Sequence, residues 1–151
     1  MKRIVLTTLT LLSLATVLEG ASAIVIRKRF RQQSDNEWLY NGKVLQRRLQ
    51  NISADEWEYD GSRLRRLQGN SSADEWLFDG KLLHKPWSND SHDRWLFDGK
   101  LLRRQNSNAS KDQWLFDGKI LQPAWGNSSE DIWEASSRVP LVVILKAAGV
   151  I

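Results

Sequence analysis

The chain has 151 residues, with 22 Lys and Arg against 18 Asp and Glu, 8 Trp, 2 His and no Cys. That length allows one modest domain, and the absence of cysteine excludes disulfide stapling as its source of stability. The near balance of charge gives little support to nucleic acid or another strongly anionic partner.

In chain order, residues 1–23 read as a secretory signal peptide. Lys2 and Arg3 form a basic start, Ile4 to Leu18 are apolar apart from Thr and Ser, and Ala21-Ser22-Ala23 gives the small-x-small pattern of a cleavage site after Ala23. The apolar run is shorter than the roughly 20 residues that a spanning helix needs. Cleavage would leave 20 basic and 17 acidic side chains, a net charge of about +3. The expected location is therefore secreted, periplasmic or at the cell surface, and the features of the leader and the lack of cysteine favour a bacterial source.

Residues 24–35, with "IVIRKRF" at their start, are expected to form an N-terminal capping strand. Residues 36–133 are a repeat domain. Trp38, Trp57, Trp76, Trp95, Trp114 and Trp133 recur every 19 residues without an insertion, the mark of an array in which each unit buries its apolar face on its neighbours. Two residues after each of the first five stands Tyr40, Tyr59, Phe78, Phe97 or Phe116, and a Leu closes each phrase (Leu45, Leu64, Leu83, Leu102, Leu121). Between these apolar positions lie Asn41-Gly42, Asp60-Gly61, Asp79-Gly80, Asp98-Gly99 and Asp117-Gly118. Such pairs accept positive φ at both centres of a type I′ turn, so each W-x-F-D-G-K-x-L phrase is predicted to be a two-residue-turn β-hairpin. With Asp79-Gly80 at the turn centre, Phe78 would face Lys81, Leu77 would face Leu82, and Trp76 would face Leu83. The Trp, aromatic and Leu positions then share one face, predicted to be the core. Glu58 and Arg63 replace an apolar pair together, which suggests that they oppose one another as an ion pair.

The connectors carry N-x-S-x-D-x-W: Asn51, Asn70, Asn89, Asn108 and Asn127, each followed by Ser and then Asp, residues suited to a recurring turn into the next strand. After Trp133 the pattern stops, with Ser136-Ser137 in place of Asp-Gly. Residues 134–151 are expected to be an apolar capping strand or tail, pairing with the N-terminal strand or acting as an assembly or secretion signal. The predicted fold is all-β: five tandem hairpins, stacked as a solenoid or closed as a flower-like ring, with capping terminal strands.

Chemistry finds few candidates. His84 and His92 occupy positions held by other residue types in the other copies, and a catalytic dyad needs unique, convergent groups. The repeated carboxylates are turn residues by position. Asn, Ser and Asp at alternate places could offer oxygen ligands to calcium, but each connector has a single invariant carboxylate. The five N-x-S triplets match a glycosylation sequon and are equally explained by turn chemistry. Trp87 and Trp125 stand in connectors where other copies have Leu49, Gln68 and Asn106, so the repeat does not require them. They are the candidate ligand-binding residues, able to stack on sugars, meet a quaternary ammonium or lie at a membrane interface. Arg47-Arg48, Arg65-Arg66 and Arg103-Arg104 form a basic ridge.

The hairpin phrase with its connector resembles the hairpin repeats of choline-binding and clostridial toxin glycan-binding modules, though it lacks their Gly-Trp start and paired Tyr. It is also similar to bacterial β-flower proteins, whose short hairpins radiate from a shallow barrel. Curli-type repeats share the unit length but not the strand-arc pattern. These resemblances imply a β-hairpin array. The expected function is an exported, non-enzymatic repeat protein with a structural or interaction role and no cofactor. The alternatives are a ligand-binding module for cell-wall glycan, choline or lipid through Trp87 and Trp125, and a self-associating filament subunit.

Overall fold

A computed structural model describes residues 22–31, 36–49, 55–68, 72–126 and 129–151. Strand β1 (Ile24–Lys28) is followed by five hairpins: β2 (Trp38–Tyr40) with β3 (Val44–Arg47), β4 (Trp57–Tyr59) with β5 (Arg63–Arg66), β6 (Glu75–Phe78) with β7 (Leu82–His84), β8 (Arg94–Phe97) with β9 (Leu101–Arg104), and β10 (Gln113–Phe116) with β11 (Ile120–Pro123). Strand β12 (Trp133–Ala135) and helix α1 (Leu141–Ala147) complete the chain. Every strand runs antiparallel to the next, and β1 pairs with β12, closing a twelve-stranded barrel. The ring form of the predicted array is the one adopted, and no strand edge is left open.

Closure works because the termini share a sixth hairpin. Ile26 stands one repeat before Leu45 and, like it, is fully buried. It pairs with Ala135, while Lys28 pairs with Trp133. The seam is sealed by Ser136 N–H donating to the Val25 carbonyl at 2.9 Å and Arg29 N–H donating to the Ile132 carbonyl at 2.8 Å. The N-terminal strand thus closes the ring, but its partner is Trp133–Ala135 rather than the apolar tail expected to pair with it.

The register departs from the predicted one. Phe78 lies opposite Leu83, not Lys81, and Leu77 lies opposite His84. Asp79 is the first residue of the turn, not a central one: its carboxylate accepts from the Lys81 and Leu82 N–H groups at 2.8 and 2.7 Å. Only Gly80 has positive φ, +97°, at the first central place, as in a type II′ turn. Moving the turn centre by one residue shifts each partner by two, and a shift of two preserves the faces. Trp38, Trp57, Trp76, Trp95 and Trp133 are buried with the closing Leu residues, and Trp114 is partly buried. The Glu58–Arg63 pairing fails for the same reason. Glu58 lies opposite Arg65, bonding it at 2.7 Å and Lys43 at 3.0 Å, while Arg63 pairs with Glu75 at 3.0 Å.

Residues 134–151 are also corrected. Only Glu134 and Ala135 continue a strand; Leu141–Ala147 form a helix, not a capping strand. An eight-stranded barrel is just wide enough for side chains to fill, so a twelve-stranded one needs an insert. Helix α1 supplies it. Val142, Val143, Ile144 and Leu145 are wholly inaccessible, and six of its seven residues are buried, as befits a helix that is apolar on every side but that of Lys146. The chain turns inward after Ala135, which replaces the aromatic residue of the other units, and Val139 N–H donates to the Gly118 carbonyl at 2.9 Å. The helix thus starts at the turn end and leads towards the connectors, where Lys146 Nζ lies 4.0 Å from the Trp57 ring centre. Gly149, at φ +72°, ends it.

Candidate functional site

Sequential antiparallel strands put all the hairpin turns on one rim and all the connectors on the other. On the turn rim the sequence is nearly uniform. Each Asp or Asn side chain accepts two backbone N–H groups at 2.7–2.9 Å. These bonds hold the carboxyls of Asp60, Asp79, Asp98 and Asp117 below the ordinary carboxylate range. Gly42, Gly61, Gly80, Gly99 and Gly118 have φ of +96° to +102°. Tyr40 and Tyr59 hydroxyls donate to the carbonyls of Gly42 and Gly61 at 2.8 and 2.7 Å. The carboxylates are committed to turn geometry, which leaves this rim little chemistry of its own.

The connector rim carries both sequence candidates. Trp87 is 80 % exposed and Trp125 is 66 % exposed. They occupy the same place in different repeats, and the connector of Asn106 lies between them, so the ring does not bring them together in one pocket. Trp125 is oriented by its Nε1–H donating to Gln113 Oε1 at 2.7 Å. Sequence reasoning missed two companions. Phe30 and Leu49 fall at that same repeat position and are 63 % and 60 % exposed. Counting the 19-residue register back from Trp87 would have found both. Asn106, at the same repeat position, is the one non-glycine residue with positive φ among the described residues, +61°, a conformation that a bulky aromatic would resist.

A groove of about 390 Å³ borders this rim across the seam, lined in part by Phe30, Leu115, Pro123 and Ile132, with Ala124 and Gly126 flanking Trp125. A second, of about 410 Å³, contains Arg27, Glu37, Arg48 and Glu134. Its charges are spent on each other, with Arg48 to Glu37 at 2.6 Å and Arg27 to Glu134 at 3.3 Å.

The basic ridge is largely structural. Arg47, Arg66 and Arg104 lie over Trp38, Trp57 and Trp95 at 4.7, 5.2 and 4.7 Å, and each also pairs with the Asp ahead of the next Trp. Lys85 does the same between Trp76 and Asp93. The histidines make local contacts: His84 Nδ1 lies 3.1 Å from the Lys85 carbonyl, and His92 Nδ1 lies 2.8 Å from Asp90 Oδ1. The connector Ser and Asp residues build single 3-10 turns, Ser72–Asp74, Ser91–Asp93, Ser110–Asp112 and Ser129–Asp131. Ser88 and Ser107 hydroxyls donate to Asp93 and Asp112 at 2.6 Å, and among the described residues no three acidic or His groups gather. Of the sequon residues, Asn89 and Asn108 are exposed, while Asn51, Asn70 and Asn127 lie outside the described residues.

Compared with family models, curated proteins and solved structures, the chain matches none.

Proposed function

We propose that this is an exported, non-enzymatic interaction module, a closed and plugged ring that works through its connector rim outside the cytoplasm. The observation that carries the reading is the repeat position 30, 49, 87 and 125, where Phe, Leu, Trp and Trp project into solvent. The core does not need them there, and exposed aromatics at loop tips suit recognition of sugars or lipid surfaces. The start of β1 at Ile24, directly after the expected cleavage point, supports export, because every strand of the closed barrel lies beyond that point. Among the described residues the longest strand has five residues, about 17 Å at 3.3 Å per residue, short of the ~30 Å core of a bilayer. This favours a module that meets a surface over one that spans it.

The flower-like ring of hairpins keeps the β-flower resemblance as the better guide to family. Self-association through strand edges has no support in a ring whose β1 and β12 are paired. The test is tryptophan fluorescence of the mature chain and of its Trp87→Ala and Trp125→Ala variants, titrated with soluble cell-wall glycan fragments, phosphocholine and lipid vesicles. A shift in the parent with one of these, reduced in the variants, is expected. An unchanged spectrum in all three proteins would overturn the rim reading.

A further inference from the structure

The wall tryptophans show what one unit lacks. Five of the six have a cation over the ring: Arg47, Arg66, Lys85 and Arg104 on Trp38, Trp57, Trp76 and Trp95, and Lys28 on Trp133 at 5.8 Å. In the first four units the cation also reaches a carboxylate, with Arg47–Asp55 at 3.2 Å, Arg66–Asp74 at 3.4 Å, Lys85–Asp93 at 3.3 Å and Arg104–Asp112 at 3.5 Å. In the fifth unit Pro123 lies opposite Trp114, where the register calls for that Arg or Lys. The consequences appear on both sides. The five capped tryptophans are at most 7 % exposed, while Trp114 is only partly buried. Asp131, which stands where Asp112 is 8 % exposed, is itself exposed and has no ion pair among the described residues.

We infer that Trp114 and Asp131 form a binding site for a guanidinium group, the arginine side chain of a partner polypeptide. This inference rests on the connector rim being the working face. Three of the four cations that bridge a Trp and an Asp in this ring are Arg. The planar guanidinium stacks on an indole and forks to a carboxylate, which an ammonium does less well. Pro123 adds no charge and no long side chain, so the indole and the carboxylate face an incoming arginine where the other units face their own. Each internal Arg is a copy of the ligand, held by the same two groups.

The test uses the mature chain with ¹⁵N-labelled tryptophan, whose 8 indole N–H groups report separately by NMR, the Trp114 signal being assigned with Trp114→Phe. N-acetylarginine amide should shift the Trp114 signal saturably, and the citrulline analogue, equal in shape but neutral, should not. Asp131→Asn should weaken binding at least about threefold. Pro123→Arg should abolish the shift by placing the protein's own guanidinium on Trp114, with the other indole signals showing that the fold is kept. An equal response to citrulline, or a shift retained in Pro123→Arg, would overturn the site. An arginine tripeptide binding more tightly than the amide supports a polypeptide source, whereas equal binding contradicts it. Trp87 and Trp125 signals in the same spectra keep the two ideas apart: their response to glycan or vesicles decides the rim reading, and Trp114 alone decides this one.

Discussion

Along one rim of the barrel, five turns repeat the same bonds, the same glycine and nearly the same φ. Along the other, a single repeat position is filled in turn by Phe30, Leu49, Gln68, Trp87, Asn106 and Trp125. The backbone explains the contrast. A two-residue turn with positive φ at its first centre accepts little besides glycine, and it must recur wherever two short strands are joined. A connector has only to deliver the chain to the next strand, which its Ser–Asp 3-10 turn does, so the residue at its tip is free to vary. Uniformity marks where the ring is held together, and variation marks where it can be put to use.

The largest effect should come from removing what both rims depend on. Truncation before Pro140 deletes α1 and leaves the lumen unfilled, so loss of the cooperative unfolding transition is expected by circular dichroism. Next, Trp95→Ala in the wall should cost about 3–5 kcal/mol in denaturant unfolding. On the turn rim, Gly99→Ala should cost about 1–2 kcal/mol from positive φ alone. Gly118→Ala should cost about the same, because the atom its new Cβ would meet, Arg138 Nη1 at 3.0 Å, is the far end of an exposed side chain that can move aside.

A subtler effect separates charge from geometry. The folded carboxyls of Asp60, Asp79, Asp98 and Asp117 titrate below their ordinary value because backbone N–H groups bind the ionised form. Their stabilisation is therefore complete above the unfolded value, near pH 4, and is lost as pH falls through the folded values. Asn41 makes the same two bonds with no charge to lose. Changing all four Asp to Asn should flatten the acid limb of the stability curve while leaving neutral pH little changed. An acid limb as steep as the parent's would assign it to other groups. Smallest of all, Trp87→Ala should change stability by no more than about 0.5 kcal/mol, and a cost like that of Trp95→Ala would erase the distinction between wall and rim.

Much of the wall was legible beforehand. The 19-residue spacing and the Trp, aromatic and Leu positions specify an array with one buried face, and alternation along a strand keeps that face correct even when the turn centre is misplaced by one residue. The misplacement has a local cause: Asp-Gly suits the middle of a type I′ turn, but here the Asp side chain binds the next two free N–H groups and becomes the turn's first residue. The segment from Leu141 to Leu145 is rich in β-branched residues and reads as a strand by propensity. Its helical form is set by the lumen, which no local pattern reveals, although Pro140 ahead of an evenly apolar run was a clue. The rim was half legible. Trp87 and Trp125 stood out against the repeat, whereas Phe30 and Leu49 look ordinary until the register is extended through the N-terminal strand. The cations over four of the tryptophans, and the gap over Trp114, were present as a column of Arg, Arg, Lys, Arg and Pro at 47, 66, 85, 104 and 123; its arginines read as a surface ridge because only the pairing places the column across from the Trp.

Closure of the ring decides the rest, since an open array would expose two strand edges and free the helix from a lumen. Arg27 and Glu134 are directly opposed across the β1–β12 seam, at a separation that a disulfide can bridge. In the mature protein with Arg27→Cys and Glu134→Cys, an otherwise cysteine-free chain, air oxidation followed by non-reducing mass spectrometry should give a monomer with one internal disulfide. Free thiols, or links only between chains, would contradict the closed ring.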